Sequence, residues 1–227
     1  MLVSRNYLLM ILDEEKGKIY SRASAAKDLG LIGAMMMDLY LRGKILIERK
    51  KIRVIDPTST GDEFLDDMLE ILKSSKKIRK LNRWIDRISR SYKTYYYAFF
   101  KRLEKQEILK IEVKKTFKIF ETKRFYLQRP EVKMVILEQI QNVIVNNLSP
   151  SIDLLCLLSL LEVSGLIKVY IAKEYRKQVR MHIEELIYSE NLNPRDQDMI
   201  ISITKAIKDI IAARQAAVTV AATTAAI

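Results

Sequence analysis

The stretch "LGLIGAMMMDLYLRGKILI", from Leu29 to Ile47, carries the strongest fold signal in this chain. Its apolar residues predict a helix that runs to Arg42 and stops at Gly43, a residue type that commonly ends helices. Gly30 and Gly33 crowd the start of this helix. Because glycine has no side chain, the pattern predicts close packing of the helix backbone against a neighbouring element.

Outward from this stretch, most of the chain also predicts helix. Six glycines and four prolines interrupt 227 residues, and apolar residues recur mainly at intervals of three and four. Helices are expected at Leu2 to Leu12, Leu29 to Arg42, near Thr60 to Ser75, Lys76 to Lys93, Thr94 to Glu107, Glu131 to Asn146, Ser151 to Val163, Lys173 to Ser189 and Pro194 to Ala222.

Two segments predict antiparallel strand pairs instead of helix. "KILIERKKIRVID" gives two short strands, Ile45 to Glu48 and Ile52 to Ile55, joined by a basic turn. "ILKIEVKKTFKIFETKRFYL" begins with the alternation typical of a hairpin strand. We therefore expect a mostly α fold, a single globular helical domain over residues 1–227 with a projecting β-hairpin and a second short strand pair.

Positive charge is concentrated in the middle of the chain. The formal net charge is +12, from 40 basic and 28 acidic residues. Residues 73–133 hold 20 Lys and Arg against 6 Asp and Glu, whereas the remainder holds 20 against 22. A localised basic region attracts polyanions, either nucleic acid or the anionic face of a membrane. We expect these cations to form one outward surface.

The segment "KKIRKLNRWIDRISRSYK", Lys76 to Lys93, shows how that surface would form. As a helix it places cations on one face and aliphatic residues on roughly the opposite, buried face. The cationic set is Lys76, Lys80, Arg83, Arg87 and Arg90, and the aliphatic set is Ile78, Leu81, Ile85 and Ile88. An ordinary solvated helix face explains the same spacing.

Aromatic residues lie next to these cations in two places. "YKTYYYAFF" has too many rings to face one way on a helix, so some pack inward and the others lie near the surface. The hairpin tip "KKTFK" sets Phe117 among lysines, a composition suited to shallow insertion into lipid. A helix followed by a basic hairpin also describes a winged helix, so nucleic-acid binding is the alternative from a different class.

Residue types that support catalysis are scarce in this sequence. The single histidine, His182, falls on a predicted amphipathic helix, and the single cysteine, Cys156, falls in the apolar run "LLCLLSLL". Metal-ligand spacings, a nucleophile elbow and a phosphate-binding glycine loop are not found. Acids at 13–15 and 62–67 fall at predicted helix ends, where they complement the helix dipole. We expect no enzyme activity, cofactor or metal, and no membrane-spanning helix.

Five segments in order resemble the Golgi phosphoprotein 3 family over nearly the whole chain. They are "LLMILDEEKGKI", "LGLIGAMMMDLYLRGKILI", "VIDPTSTGDEFLDDMLEIL", "LEKQEIL" and "LLCLLSLLEVSGLI". The resemblance implies a mostly helical domain with a projecting hairpin associated with membrane contact and oligomer formation. Family members are peripheral proteins that bind phosphatidylinositol 4-phosphate on the cytosolic face of Golgi membranes. They retain glycosyltransferases there by binding the tails of those enzymes, and the family is not known for catalysis.

The family's lipid-pocket positions carry over only in part. Ile32 stands where the eukaryotic G-L-R-G pattern has arginine, and Ala23 stands where a tryptophan is expected. Of two arginines on the helix before the hairpin, the first corresponds to Lys93 and the second to Tyr96. One of four positions therefore keeps a cation, and the surrounding charge implies general attraction to anionic lipid.

We therefore predict a cytoplasmic protein that acts as a peripheral membrane adaptor in trafficking or retention, on the cytosolic face of the Golgi if the source is eukaryotic. The residues expected to bind headgroups are Arg22, Lys27, Arg87, Arg90 and Lys93. Those expected to insert or to form oligomers at the hairpin are Lys115, Phe117 and Lys118. Predicted partners are an anionic membrane surface, cytosolic tails of membrane proteins and a second copy of the chain. A pure assembly module, indifferent to polyanions, is a third reading.

Overall fold

The computed structural model describes residues 2–75, 77, 79–91, 93–116 and 120–224, without the side chains of 91, 93–95, 114–116, 120, 220 and 222–224. The helices are α1 (Val3–Met10), α2 (Lys27–Leu41), α3 (Glu63–Lys73), α4 (Leu81–Ser91), α5 (Lys93–Lys105), α6 (Glu131–Ile144), α7 (Ile152–Val163), α8 (Ile167–Tyr170), α9 (Arg176–Ile187) and α10 (Pro194–Thr224). The strands are β1 (Leu12–Asp13), β2 (Lys18–Ile19), β3 (Ile45–Glu48), β4 (Lys51–Val54), β5 (Leu109–Thr116) and β6 (Phe120–Leu127). The fold is mostly α with short antiparallel pairs, as the sequence predicted.

Helix α2 lies at the centre of the hydrophobic core. Every residue from 29 to 39 is buried, and the helix packs against α1, α4, α7 and α10. A helix that is apolar on all sides requires neighbours on all sides. The predicted close approach at its glycines is confirmed, because Gly30 lies against Tyr7 of α1 and Gly33 lies against Ile207 of α10.

Helix α1 obtains its N-terminal cap from the middle of α2. The residue before α1, Leu2, offers no side-chain acceptor to the free amides of the first turn. The buried carboxylate of Asp38 accepts hydrogen bonds from the amides of Val3 and Ser4, at 2.7 and 3.0 Å. The two helices are therefore joined by polar as well as apolar contacts.

The motif "DPTSTGD" builds the start of α3 from side-chain hydrogen bonds. Asp62 is the N-cap, and its carboxylate accepts from the amides of Phe64 and Leu65. Arg102 of α5 donates to the same carboxylate at 2.8 Å. The helix was expected to begin near Thr60, but Thr60 instead donates its amide and hydroxyl to Asp66, one turn into α3.

Strands β5 and β6 form the predicted hairpin, with a register from Leu109 opposite Leu127 to Thr116 opposite Phe120. Its base is fixed to the body, since Phe125 stacks on Phe100 of α5 at 4.3 Å and its amide donates to the carbonyl of Gly17. Strands β3 and β4 form the second predicted pair. The predicted tip at Phe117 and Lys118 lies outside the described residues.

Several short elements have no sequence signal. They are the pair β1–β2, a 3-10 turn at Ser21–Ala23, the one-turn helix α8 and a second 3-10 turn at Lys173–Tyr175. Elements of two to four residues are too short for a hydrophobic pattern to repeat enough to be recognised. The basic helix expected from Lys76 begins at Leu81. Among the residues described, no helix combines the length and the apolar character that a bilayer crossing requires.

Candidate anion-binding surface

Helix α4 separates apolar from basic side chains, as its spacing predicted. The inward face is at most 2% exposed and consists of Leu81, Trp84, Ile85 and Ile88. The outward face is exposed and consists of Arg83, Arg87 and Arg90. Lys80 is exposed just before the helix, where its backbone pairs with Lys51 of β4. Lys76 and Ile78, the other members of the predicted faces, lie outside the described residues.

One carboxylate serves two guanidinium groups on this helix. Asp86 pairs with Arg90 at 2.7 Å and with Arg214 of α10 at 2.8 Å. Partial burial raises the pKa of Asp86, but hydrogen bonds from the two arginines outweigh that effect and leave the pKa below its ordinary value. Within the part of the chain that the structure describes, Arg83 and Arg87 have no carboxylate partner. The outward face therefore keeps a net positive charge.

Two other cations of the central region turn inward. The ammonium of Lys133 is 2% exposed and donates to the carbonyl of Leu12 at 2.8 Å, with Glu14 at 2.7 Å. Arg102 lies over the rings of Phe64 and Phe99 while it pairs with Asp62. The expectation that the basic surplus of residues 73–133 faces outward as a whole is therefore wrong for these two side chains, which hold the core together.

Arg22 and Lys27, the other predicted headgroup ligands, lie before and at the start of α2, and Lys27 contacts α5. Arg22 is exposed in the 3-10 turn that precedes α2, and Lys27 is the first residue of α2. The Lys27 ammonium lies 5.6 Å from the centre of the Tyr96 ring of α5, a cation–π distance. Lys93 begins α5, but its side chain lies outside the described residues.

The β5–β6 hairpin carries a mixed surface toward its outer half. Val113 is 47% exposed, and Lys110 pairs with Glu112 at 3.2 Å. Lys123 lies 3.4 Å from the centre of the Tyr97 ring. Lys115 pairs by backbone with Glu121, and its side chain lies outside the described residues. The described part of the hairpin therefore joins apolar and basic groups on one projecting element.

A comparison with protein families matches residues 3–218 to the family described as Golgi phosphoprotein 3 (GPP34). The chain belongs to the Golgi phosphoprotein 3 family. No curated protein matches the chain in a sequence search. Membership agrees with the order of the sequence motifs and indicates a Golgi-associated role in lipid binding or trafficking.

In this Golgi phosphoprotein 3 family member, two of the three positions at which the resemblance implies a departure from the family's lipid pocket are fully buried, and the third, Tyr96, is half-buried. Ala23 and Ile32 are both 0% exposed. Burial, followed by the influence of Tyr7 and Asp28, raises the pKa of the Tyr96 hydroxyl well above its ordinary value. That hydroxyl has no hydrogen-bond partner among the described residues. These three positions therefore supply packing here, and the nearby cations are the exposed Arg22 and the half-buried Lys27.

His182 and Cys156, the single histidine and the single cysteine of the chain, lie in surroundings typical of structural residues. The Nε2 atom of His182 lies 3.2 Å from the carbonyl of Val143, and its Nδ1 atom lies 3.7 Å from Glu185. Cys156 is fully buried, and burial raises the pKa of its thiol. In the described ranges, no group of three or more histidine, cysteine or acidic side chains is arranged to hold a metal ion.

The sequence did not reveal that the buried ring of Trp84 contacts two of the cations near α4. The guanidinium carbons of Arg79 and Arg87 each lie 5.8 Å from the centre of the Trp84 ring. Guanidinium groups stack on indole rings without losing their charge. The contact between Trp84 and Arg87 could have been predicted from the sequence, because residues three apart on a helix lie next to each other. Arg79 lies before α4, so helical spacing gives no signal for its contact.

Proposed function

We propose that this protein is a peripheral membrane adaptor that binds anionic phospholipid headgroups and acts in trafficking or retention. The observation that carries the proposal is the outward face of α4, where Arg83, Arg87 and Arg90 are exposed and, among the described residues, only Arg90 pairs with a carboxylate, that of Asp86. Family membership supports a lipid-binding role, and phosphatidylinositol 4-phosphate is the headgroup that the family resemblance favours. The adaptor is non-catalytic, in keeping with an adaptor-type family.

The charge of this surface alone gives weak, reversible binding. Each cation near an anionic leaflet contributes about 1 kcal/mol, so the five proposed ligands give at most about 5 kcal/mol. Those ligands are Arg22, Lys27, Arg87, Arg90 and Lys93. Stable binding needs a second, apolar contribution. We assign it to the hairpin, with Phe117 inserting between Lys115 and Lys118 and Val113 exposed on the strand below.

The proposed partners follow from the position of the protein on the membrane. An adaptor held on the cytosolic leaflet, at the Golgi if the source is eukaryotic, meets the cytosolic tails of membrane proteins, which are the clients that the family resemblance favours. Within the described residues, β5 and β6 form a two-stranded sheet whose edges bond to the body near the base, at Ile111 and Phe125, and join no third strand. Pairing of a strand edge beyond the base with a second copy is the proposed route to oligomers.

Co-sedimentation with liposomes of increasing anionic lipid fraction tests the function. The variant Arg83→Gln/Arg87→Gln removes two charges that have no carboxylate partner among the described residues, and we expect it to lose most of the binding. The matched control is Lys173→Gln/Arg195→Gln, which removes two exposed charges elsewhere. Equal binding by both variants, or binding indifferent to the anionic fraction, would refute the proposal.

Duplex DNA added as a competitor separates this function from nucleic-acid binding. A nucleic-acid-binding protein would prefer the duplex, and its affinity would fall steeply with the logarithm of salt concentration. We expect anionic liposomes to remain bound when the competitor is present at equal phosphate concentration. Release of the protein to the duplex would favour the alternative.

A further inference from the structure

A basic groove lies between β4, the end of α3 and the start of α4. Its volume is about 380 Å³. Three cations from three different segments line it: Arg53 on β4, Lys73 at the end of α3 and Lys77 in the connection to α4. Ser75 contributes a hydroxyl and Trp84 an indole ring, and aliphatic residues complete the wall. The lining contains no acidic residue.

The acids near this groove hold its cations only weakly. Arg53 pairs with Glu48 at 3.5 Å, and Lys73 pairs with Glu70 at 3.2 Å. All four side chains are more than half exposed, and ion pairs between such exposed side chains contribute little to stability. Lys77 has no carboxylate partner among the residues that the structure describes. An anion that accepts hydrogen bonds from several of these groups at once can displace both surface pairs.

Two further cations lie beside Trp84, one of the residues that line the groove. Arg79 and Arg87 both stack over this indole. The Nε atom of Arg79 is buried and has no hydrogen-bond partner in the described structure. A buried donor without an acceptor is costly, and a charged one more so. Five cationic side chains thus surround one indole ring and its groove.

We propose that this groove binds a phosphate group. The lysines supply point charges, and the Arg53 guanidinium supplies a planar pair of donors that fits two phosphate oxygens. The Ser75 hydroxyl donates to the carbonyl of Lys77 at 2.9 Å and holds the segment that carries this lysine. The phosphate belongs either to a soluble phosphate compound or to a lipid headgroup. The cations that line the groove, Arg53, Lys73 and Lys77, are distinct from the proposed headgroup ligands. The two sites meet at Trp84, over which the headgroup ligand Arg87 stacks.

Trp84 is the single tryptophan of the chain, so the intrinsic tryptophan fluorescence of the protein comes from the wall of this groove. We expect inositol hexakisphosphate, titrated at constant ionic strength, to change the Trp84 fluorescence in a saturable manner. The variant Arg53→Ala/Lys77→Ala should weaken that binding by about tenfold or more. The control variant Lys173→Ala/Arg195→Ala carries the same net charge and should bind as the unmodified protein does. Calorimetry of the same titrations detects binding to which the fluorescence is insensitive.

Two results would overturn the groove assignment: equal affinity in both variants, or no saturable binding by either method. Vesicles that contain a phosphomonoester lipid then distinguish the two sources. Displacement of inositol hexakisphosphate by these vesicles supports the groove as a headgroup site, and failure to displace it supports the groove as a site for soluble phosphate. Circular dichroism of each variant confirms that a loss of binding is not a loss of folding. Vesicle binding that survives in the groove variant leaves the membrane function intact.

Discussion

Two glycines on α2 allow neighbouring helices to approach its backbone closely. Gly30 and Gly33 were recognisable in the sequence as sites of close packing, because glycines inside an apolar helix have few other purposes. The residues that they contact were not, since Tyr7 lies 23 positions before Gly30 and Ile207 lies far along the chain. The same is true of Asp38. The sequence shows an acid on a core helix, but it does not show that this acid caps the amides of a different helix, α1.

Substituting alanine at the two glycines should give unequal losses of stability. A Cβ atom at Gly30 would lie 2.1 Å from the Tyr7 hydroxyl oxygen and 2.3 Å from the ring carbon that bears it. At Gly33 the nearest atom is the end of the flexible Ile207 side chain, at 2.8 Å. We expect Gly30→Ala to lower the free energy of unfolding by about 2 to 4 kcal/mol and Gly33→Ala by about 1 kcal/mol or less. Urea denaturation measures both, and equal losses would contradict the contact geometry.

Asp38 should make stability depend on pH in an unusual direction. Burial raises its pKa from 3.8 to about 6, although the amides of Val3 and Ser4 oppose that shift. The folded state therefore binds this proton more tightly than the unfolded state does. The resulting stability is fully present below pH 3.8 and is lost as the pH rises through about 6, a difference on the order of 2 to 3 kcal/mol.

The variant Asp38→Asn does not titrate, so it isolates this effect. We expect the stability of the unmodified protein relative to Asp38→Asn to fall as the pH is raised from about 4 to about 7. Urea denaturation at a series of pH values measures the difference, and it cancels the other carboxylates that both proteins share. A difference that stays constant or grows with pH would contradict the assigned direction.

At the scale of elements, the positions of helices and hairpins followed from periodicity, whereas their ends did not. The start of α3 was expected near Thr60 because its motif has the residue types of a helix start. The structure instead assigns the cap to Asp62 and uses Thr60 to brace Asp66. Several side chains within six residues are of types that cap helices. Asp62 is the one that also has a tertiary partner, Arg102 on α5, and a local sequence pattern does not contain that contact.

Two substitutions at Asp62 separate its capping role from its ion pair. Asp62→Ala removes the acceptor for two helix amides and leaves the mostly buried Arg102 without its carboxylate, so we expect a loss of about 3 kcal/mol. Asp62→Asn keeps the cap and should recover about 1 kcal/mol of that loss. The exposed pair between Lys73 and Glu70 serves as a control, since Lys73→Ala should cost under about 1 kcal/mol. Thermal denaturation ranks the three variants.

At the scale of the whole molecule, the sequence predicted the fold class, the family and the basic outward face of α4. It did not predict how the cations divide between surface and core. Lys133 and Arg102 are indistinguishable from surface cations in the sequence, yet both are enclosed by aromatic rings and paired with acids. Burial of a long cation depends on partners from distant elements, which a local pattern does not contain.

Membrane binding by such a surface should respond to salt in two stages. Between about 0.1 M and about 1 M salt the Debye length falls from about 10 Å to about 3 Å, which screens exposed charges but not apolar insertion. We expect binding to anionic liposomes to weaken over this range to a residual level set by the hairpin. Arg83→Gln/Arg87→Gln should begin nearer that residual level and change less. Liposome flotation at several salt concentrations measures both, and identical salt curves would contradict the role of α4.

The enclosed thiol of Cys156 has a practical consequence. Thiolates, not thiols, react with alkylating probes, and this thiol is both sealed in the core and held protonated by its surroundings. As the chain has no other cysteine, we expect almost no labelling of the natural protein by such probes. A cysteine introduced at any exposed site, for example Val113→Cys or Val218→Cys, would take up a reporter dye alone. The orientation of the molecule on a bilayer can thus be charted one position at a time.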